Sequence, residues 1–364
     1  MNRVMIVAAG TGGHVFPALA VAEQLLEQNW QVEWLGTHEQ RLESKVVPAA
    51  GIKLHQITMS GLRGRGVKGL LAMPLRLLRA VSACRKLFKQ YRPSVVATFG
   101  GYVCAPAGIA AKMLGIPLVT HEQNAVPGTT TRLLAKFTPH VMLGLPVNLP
   151  RWDRFEVCGN PLRKAFVKAA NSVTNTRSEQ SAKPLTIAVV GGSLGAHKLN
   201  QVVPLALQQL AQPLTVVHQC GERDQPMVQQ AYQNCAQIKA DVVPFIEDML
   251  ALYQQADLVI SRAGALTVAE IAATGVASIL VPLPHAIDDH QRANAEVLVN
   301  AGAAKLMLQD QLTVESLAET IDALLQPSGQ LWKMAAAAKQ ASYPHATQRV
   351  ATKCQEIQRE FGAS

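Results

Sequence analysis

One pattern that occurs twice constrains the fold more than any other feature of the chain: a short apolar run, a glycine-rich turn and an amphipathic stretch. The first copy is "VMIVAAGTGGHVFPALA" from Val4, and the second is "LTIAVVGGSLGAHKLNQVV" from Leu185. A buried strand that turns through glycines into a helix opens a doubly wound α/β domain. The repetition therefore predicts two such domains, and 364 residues suffice for both.

Apolar runs rich in Val and Ile alternate with helical patterns through the rest of both halves. They are "VEWLG", "VVATF", "PLVTHE" and "HVMLGL" in the first half, and "LTVVHQC", "ADVVPFI", "DLVIS" and "ASILVPL" in the second. This alternation is typical of βαβ units, so we predict the α/β class, with two doubly wound, Rossmann-like domains and mainly parallel sheets. Because open sheets bind ligands beyond the carboxyl ends of their strands, we expect the glycine turns to line a central cleft.

Positive charge is concentrated in one segment. The formal net charge is +9, and the segment from Gly61 to Arg92 contains no acidic residue. Its bases are Arg63, Arg65, Lys68, Arg76, Arg79, Arg85, Lys86, Lys89 and Arg92. Leu71, Leu75 and Leu78 recur beside them at helical spacing, which predicts a basic amphipathic helix on an anionic membrane surface. The alternative is a core-facing helix with a solvated basic face. Nucleic acid is set aside because no recognised nucleic-acid motif appears.

The sequence lacks patterns for export or for covalent cross-links. Its six cysteines form no C-x-x-C pair, so neither a zinc site nor a disulfide framework is indicated. The apolar stretch from Val4 to Ala9 is too short for a signal peptide, and no apolar run approaches the ~18 residues of a membrane span. These features predict a cytosolic protein with reduced thiols.

The first glycine turn suits an anion. Gly10, Gly12 and Gly13 remove side chains from a helix start, where free N–H groups can hold a negative charge. A G-x-G-x-x-G dinucleotide fingerprint would need a small residue in place of Val15, so a nicotinamide enzyme is disfavoured. A purely structural turn is the alternative.

The second glycine turn allows a different chemistry. It contains a formal G-x-S-x-G around Ser193, which could be the nucleophile elbow of a hydrolase. Asp257 and then His285 or His290 follow in the order that such a triad requires. A serine hydrolase therefore remains an alternative from the residues alone.

The segment "SRAGALTVAEIAATG" indicates a strand end, a glycine turn and a helix start. The N–H groups of Ala265, Leu266 and Thr267 suit a diphosphate, and Glu270 one turn later suits the hydroxyls of a ribose. Alternatively, Thr267 caps the helix and Glu270 is its capping-box partner.

A polar cluster precedes the next helix. Asp288, Asp289 and His290 fit no standard metal spacing, and carboxylates at a helix start are stabilised by its dipole without an ion, so no metal is expected. Gln291 and Asn294 lie three residues apart on one helix face, where their amides could bind the hydroxyls of a neutral sugar.

Two histidines are candidates for a general base. His14 follows the first glycine turn, and an imidazole titrates near neutrality. An anion-binding or helix-start histidine is the alternative for it. His121, together with Glu122 in "VTHEQN", lies at a strand end and is the second candidate.

Seven segments together carry a resemblance to a known family. They are "GTGGHVFPALA", "FGGY", "HEQNAVPGTTTRLL", "GNPLR", "GGSLGA", "SRAGALTVAE" and "DDHQRANAEVL". In this order, from Gly10 to about Leu298, the chain resembles the family 28 glycosyltransferases that add N-acetylglucosamine to lipid I in peptidoglycan synthesis. One departure is Ala9, where many relatives have a further glycine, and we expect only a small shift of the strand end there.

The resemblance implies a GT-B fold without a cofactor. Residues 1–160, with a C-terminal helix at about 341–364, would form the acceptor and membrane-associating domain, and residues 161–340 the donor domain. The implied activity is that of a hexosyltransferase, which moves N-acetylglucosamine from UDP-GlcNAc with inversion to the C4 hydroxyl of lipid I and so gives lipid II. The implied location is the cytoplasmic side of the bacterial inner membrane, where other cell-wall enzymes are conceivable partners.

The resemblance also assigns residues. His14 would be the base. The donor contacts would be Thr11, Gly12, Gly13, Asn124, Arg163, Ser193, Ile246, Ala265, Leu266, Thr267, Val268, Ala269, Glu270 and Gln291. A non-catalytic nucleotide-sugar-binding module is the remaining alternative to an enzyme.

Overall fold

The computed structural model describes residues 2–38, 42–59, 73–171, 184–192, 195–233, 235–284, 289–326 and 330–362. The chain divides into two compact units: unit 1 is Met1–Lys164 with His345–Ser364, and unit 2 is Ala165–Pro344. The sequence analysis placed the boundaries at residues 160 and 340, and it therefore counted Arg163 with the second domain, whereas this residue belongs to unit 1.

The described part of unit 1 is a parallel sheet with helices. Its strands are β1 (Arg3–Val7), β2 (Gln31–Thr37), β3 (Lys53–Ile57), β4 (Val95–Thr98), β5 (Leu118–Glu122), β6 (Val141–Leu143) and β7 (Glu156–Val157). Its helices are α1 (Gly12–Glu27), α2 (Leu42–Ala49), α3 (Met73–Tyr91), α4 (Cys104–Met113), α5 (Thr129–Leu134) and, near the end of the chain, α14 (Ala346–Gly362). The strand order is β3-β2-β1-β4-β5-β6-β7, so the order reverses between β1 and β4.

The side chains of β1 explain why helices cover both faces of this sheet. Val4 and Ile6 belong to one buried cluster, to which α1 and α14 also contribute. Met5 and Val7 belong to a second cluster, together with residues of α3 and α4. Successive strand residues point to opposite faces, and a strand that is apolar on both faces must be covered on both.

Unit 2 repeats this architecture. Its strands are β8 (Leu185–Val190), β9 (Leu214–Gln219), β10 (Ile238–Val243), β11 (Leu258–Ser261), β12 (Ala277–Leu280) and β13 (Ala304–Leu306). Its helices are α7 (His197–Gln208), α8 (Gln225–Tyr232), α9 (Met249–Gln255), α10 (Ala265–Thr274), α11 (His290–Asn300), α12 (Val314–Leu325) and α13 (Gln330–Gln340), and α6 (Lys164–Asn171) begins at the boundary. The parallel order β10-β9-β8-β11-β12-β13 reverses between β8 and β11.

The predicted α/β class with two doubly wound domains is confirmed, and three strands were missed. β7 and β13 have two and three residues, which is too short for a periodicity to appear. β3 has the sequence "KLHQI", whose polar residues hide the apolar pattern. Ligands of such sheets bind where the strand order reverses, so the loops after β1, β4, β8 and β11 are the first places to look for a site.

Two buried histidines make the stability of the protein depend on pH. Burial lowers the pKa of His121 in unit 1 to about 4 and that of His218 in unit 2 to about 3. Both titrate near 6.5 in an unfolded chain, so between pH 6.5 and 4 the unfolded state binds more protons and the folded state loses stability as the pH falls. Each histidine is expected to cost at most ~1.4 kcal/mol per pH unit in this window.

Urea unfolding at pH 7 and pH 5 measures this loss. His218→Gln should remove the contribution of unit 2, whereas His38→Gln, at an exposed position, should leave the pH dependence intact. Equal free energies of unfolding at the two pH values would contradict the prediction.

Candidate functional site

The first glycine turn lies at the strand-order reversal of unit 1. α1 begins at Gly12, and among the described residues the side chain of its N-cap residue, Thr11, makes no capping hydrogen bond. The helical ladder starts with the N–H groups of His14 and Val15, which both donate to the Thr11 carbonyl. The N–H groups of Gly12 and Gly13 precede this ladder, as is general for a first helical turn. This is the geometry that the sequence predicted for an anion site.

His14 is held by the same turn. Its Nδ1 lies 3.3 Å from the Ala9 carbonyl oxygen. A carbonyl only accepts, so Nδ1 carries the proton in this contact and Nε2 is left with the lone pair that a general base needs.

Two glycines after β4 make room for this arrangement. A Cβ on Gly100 would lie 2.6 Å from the Cδ2 of His14, and one on Gly101 would lie 2.6 Å from the Ala9 oxygen. Both have φ values of 90–100°, which favour glycine. The segment "FGGY" therefore supports the histidine ring and the carbonyl that binds it.

Glu43 on α2 also supports the first glycine turn, and the sequence analysis missed it. Its side chain is fully buried. Oε2 accepts a hydrogen bond of 3.2 Å from the Gly10 N–H, and Oε1 accepts one of 3.1 Å from the Thr37 hydroxyl. The one sequence signal was its i, i+4 spacing to Val47 on the buried face of α2.

The loop after β5 is organised by Glu122, whose carboxylate accepts from the Asn124 N–H, the Asn124 side-chain amide and the Gly128 N–H at 3.0–3.2 Å. Gln123 donates to the Phe99 carbonyl at 2.8 Å, which ties this loop to the end of β4. Glu122 thus holds Asn124, a predicted substrate contact, in place.

His121 is not placed to act as a base. It is buried, its Nε2 bonds the Gly159 carbonyl at 3.1 Å, and its ring stacks on Phe99. Burial lowers its pKa to about 4. Of the two candidate histidines, the structure favours His14.

Arg163, a predicted donor contact, also belongs to unit 1. Its guanidinium lies 5.7 Å from the centre of the Phe16 ring.

The second glycine turn follows β8 in unit 2, and Ser193 in its middle lies outside the described residues. Gly192 and the side chain of Gln219 form two reciprocal hydrogen bonds of 3.0 Å, and the Gln219 amide also donates to the Pro244 carbonyl. Gly195 approaches the Cys220 carbonyl so closely that a Cβ would lie 2.1 Å from that oxygen. Gln219, at the end of β9, was not identified from the sequence, although its position after an apolar run was a signal.

The hydrolase interpretation of this turn fails on the position of Asp257. Asp257 precedes β11 and bonds both backbone groups of Thr186, at the amino end of β8. The glycine turn follows Val190, at the carboxyl end of that strand. A triad acid must lie at the same end of the sheet as its nucleophile, so Asp257 cannot complete a triad with Ser193. His290 begins α11, and His285 lies outside the described residues.

The helix that starts after β11 is α10. Its N-cap residue is Gly264, which has no side chain with which to cap the helix. Thr267 therefore is not the N-cap, and the alternative of a capping box between Thr267 and Glu270 is wrong. Ala265 and Val268 are buried, whereas Leu266, Thr267, Ala269 and Glu270 are half-buried. The donor contacts predicted from this segment therefore lie at a helix start and one turn after it, and they stay a prediction.

The next helix, α11, corrects the expectation that Asn294 binds a sugar. Asn294 is buried and donates to the Ala263 carbonyl at 3.2 Å, so it supports the turn before α10 and is not placed for a sugar. The Oε1 of Gln291 accepts a hydrogen bond of 2.9 Å from the Leu283 N–H.

The loops after β11 and β12 are tied together by Arg262, which donates to the carbonyls of Val281 and Pro282. Ile246 lies half-buried before α9.

No group of three potential metal ligands occurs within the described ranges, which exclude Asp288. In the same ranges, no helix is both long and apolar enough to cross a bilayer.

Family models and named relatives agree on the class of protein to which this chain is similar. The "Glycosyltransferase family 28 N-terminal domain" matches residues 4–143 and the "Glycosyltransferase family 28 C-terminal domain" matches residues 186–350. A protein of Idiomarina loihiensis is 55% identical over 98% of both chains, and one of Aeromonas hydrophila is 44% identical over 98% of this chain and 97% of its own. Both are named "UDP-N-acetylglucosamine--N-acetylmuramyl-(pentapeptide) pyrophosphoryl-undecaprenol N-acetylglucosamine transferase".

A solved structure agrees with these relatives. The crystal structure of Acinetobacter baumannii MurG superposes with a TM-score of 0.84 at 42% identity, and it covers 98% of this chain and 100% of that one. Two doubly wound units with glycine turns at their strand-order reversals, together with this likeness, define a glycosyltransferase of the GT-B class. The chain belongs to glycosyltransferase family 28.

Proposed function

We propose that this protein transfers N-acetylglucosamine from UDP-GlcNAc to the C4 hydroxyl of the N-acetylmuramic acid of lipid I, which gives lipid II. The observation that carries this proposal is the 55% identity, over 98% of both chains, to a protein named for that transfer. The aligned region includes both family 28 domains, and therefore the segments that are proposed to bind the two substrates. The reaction breaks the bond between the anomeric carbon and UDP, and it needs a base and a stabilised leaving group.

Unit 2 supplies the groups for the donor. Negative charge builds on the diphosphate as UDP leaves, and the N–H groups at the start of α10 and in the turn around Ser193 are suited to stabilise it. Glu270 is proposed to bind the ribose hydroxyls and Gln291 the sugar. The remaining proposed donor contacts of this unit are Ile246, Ser193, Ala265, Leu266, Thr267, Val268 and Ala269.

Unit 1 supplies the base. His14 Nε2 is proposed to take the proton of the C4 hydroxyl while the hydroxyl oxygen attacks the anomeric carbon from the face opposite UDP, which inverts the configuration. The support is the contact of Nδ1 with the Ala9 carbonyl, which leaves Nε2 as an acceptor. Thr11, Gly12, Gly13, Asn124 and Arg163 are the proposed UDP-GlcNAc contacts of the same unit.

Transfer of labelled N-acetylglucosamine from UDP-GlcNAc to a lipid I analogue, without added metal, tests the proposal. Label should enter the lipid fraction, and UDP should be released only when the acceptor is present. A nucleotide-sugar-binding module would bind the donor without any transfer, and that result would overturn the proposal.

Glu270→Ala is expected to weaken the binding of UDP-GlcNAc by about 10- to 100-fold, because a hydrogen bond to a charged group contributes about 1.5–3 kcal/mol. Calorimetric titration of the donor measures the loss. Glu296→Ala is the matched control, since Glu296 lies on α11 in the same unit and pairs with Arg292 on the surface. An unchanged affinity for UDP-GlcNAc in Glu270→Ala would contradict the proposed contact between Glu270 and the ribose.

We further propose that α3 rests on the anionic surface of the cytoplasmic membrane, where the lipid acceptor lies. Leu75 and Leu78 are 54% and 66% exposed and are flanked by the exposed Arg76 and Arg79. The buried side chains of α3 pack into the core, and they are Ala80, Val81, Cys84 and Phe88. Exposed leucines between arginines fit an interfacial helix better than a merely solvated face. Arg63, Arg65, Lys68 and Leu71 lie outside the described residues.

Replacing Leu75 and Leu78 together by Glu should lower binding to vesicles that contain phosphatidylglycerol by at least about 10-fold, because apolar burial is lost and like charges repel. Co-sedimentation with vesicles measures this change. Met113→Glu, at an exposed apolar position of α4 outside the basic segment, should have little effect. Equal losses in both variants would contradict a role specific to α3.

A further inference from the structure

Two side chains of unit 1, those of Glu43 and His14, are connected through a single peptide group. The Gly10 N–H donates to Glu43 Oε2 at 3.2 Å, and the Ala9 oxygen lies 3.3 Å from His14 Nδ1. The Ala9 carbonyl and the Gly10 N–H are the two ends of the same peptide group. The carboxylate and the imidazole are therefore linked in one hydrogen-bonded chain, although they do not touch.

We propose that Glu43 is a positioning residue for the transfer reaction, which acts on His14 through the Ala9–Gly10 peptide and makes Nε2 a stronger base. The inference rests on the proposed role of His14 as the base. Hydrogen bonds in a chain polarise one another, so an anion at the N–H end increases the negative charge on the carbonyl oxygen. A more negative Ala9 oxygen binds the Nδ1–H of an imidazolium more strongly than that of a neutral ring.

The surroundings fix this peptide in one orientation. Gly101 lies against the Ala9 oxygen, where a Cβ would come within 2.6 Å. Trp34 Nε1 donates to the preceding carbonyl of Ala8 at 2.9 Å. Glu43 itself is buried and is oriented by the Thr37 hydroxyl. A rotation of the peptide would break the bonds at both of its ends.

The proton balance of the step is simple. As the C4 oxygen of the acceptor bonds to the anomeric carbon, its proton moves to His14 Nε2, and the electron pair of the broken bond leaves with UDP. Nδ1–H stays on the ring and strengthens its bond to the Ala9 oxygen as the ring becomes positive. The transferred proton does not reach Glu43. Water then removes the Nε2 proton.

Other titratable groups lie on the elements around this corner. On α4, the Cys104 thiol donates to the Gly100 carbonyl, and burial raises its pKa to about 12. On β5, His121 has its pKa lowered to about 4 by burial, so it is neutral at pH 7. Glu122 and Arg163 belong to the same unit, and Lys45 lies on α2. All of these groups are the same in wild type and in Glu43→Gln, so a comparison of the two isolates Glu43.

The test is an NMR titration of the His14 ring in the whole protein at 0.15 M salt, with the signal assigned by its loss in His14→Ala. Glu43→Gln keeps an acceptor for Gly10 and a donor for Thr37 but removes the charge. Its His14 midpoint should fall by about 0.5 to 1 pH unit relative to wild type. Glu33→Gln, which removes a carboxylate that pairs with His55 on the same sheet, should leave the midpoint unchanged. Equal midpoints in wild type and Glu43→Gln would overturn the relay.

A second measurement needs no variant at Glu43. In wild type, the amide signal of Gly10 should titrate with the same midpoint as the His14 ring, because both belong to one chain of hydrogen bonds. A Gly10 amide that does not respond to the His14 titration would also overturn the proposal, even if Glu43→Gln fails to fold.

Transfer assays separate this inference from the proposed function. Glu43→Gln should shift the acid limb of kcat/KM to lower pH and reduce the plateau, whereas a merely structural role would reduce the plateau alone. Absence of transfer in wild type, or full activity in His14→Ala, would refute the proposed function or the base, and the NMR midpoints would still decide the relay.

Discussion

His14→Ala is expected to lower the rate of N-acetylglucosamine transfer by about 10²- to 10⁴-fold, the range that a general base contributes. The reason is that the attacking hydroxyl would have to lose its proton to water. The affinity for UDP-GlcNAc should change little, since His14 is not among the proposed donor contacts. Single-turnover transfer at saturating donor and acceptor measures the chemical step.

The control for this variant is another histidine of the same unit. His55 is half-buried and pairs with Glu33 at 2.5 Å, so His55→Ala tests whether loss of any such histidine disturbs the unit. It should keep nearly full transfer activity. If His14→Ala transferred sugar at the wild-type rate, His14 would be a helix-start histidine and the base would have to be sought elsewhere.

Gly195→Ala is expected to destabilise unit 2 by about 3 to 5 kcal/mol, as the sum of backbone strain and overpacking. Gly195 has a φ of 73°, and a Cβ there would lie 2.1 Å from the Cys220 carbonyl oxygen. Backbone cannot yield as a flexible side chain would, so the turn after β8 has to move. Donor affinity should fall with it, because this turn is a proposed diphosphate site. Urea unfolding and donor titration measure the two effects.

Comparison of Gly195→Ala with Gly192→Ala isolates the steric part of that cost. Gly192 has a φ of 88°, but a Cβ on it would meet no atom of the described residues within 4 Å. This variant should lose only the strain of a left-handed backbone, about 1–2 kcal/mol. Equal losses of stability in Gly192→Ala and Gly195→Ala would mean that the approach to Cys220 does not matter.

Local patterns in the sequence determined the architecture. The run "VMIVAA" and the "IAVV" part of "LTIAVVGG" are buried on both faces, and such runs are typical of the central strands of a sheet that helices cover on both sides. The two glycine turns then follow from the position of the glycines directly after these strands. The same patterns predicted the α10 start at Ala265 and placed His14 at a helix start, because each of these signals lies within a few adjacent residues.

Tertiary contacts decided the roles that local patterns left open. Asp257 satisfied the order of a hydrolase triad, but the register of β8 against β11 puts it beside Thr186, at the wrong end of the sheet. Asn294 shared a helix face with Gln291 and is nevertheless buried against Ala263. His121 lay at a strand end like a base, and only its burial between Phe99 and Gly159 reveals that it is structural.

Glu43 shows most clearly what local patterns in a sequence cannot reveal. In the sequence it is one acid of a short helix, separated from Gly10 by α1 and β2, and its i, i+4 spacing to Val47 is the one local sign that it lies on a buried face. Only the parallel pairing of β1 with β2 brings the start of α2 to the first glycine turn. The sequence by itself determined the fold class, the turns and the family, because these depend on neighbours along the chain. The tertiary structure alone decided which side chains meet, because that depends on strand order and register, which bring together residues that are distant in sequence.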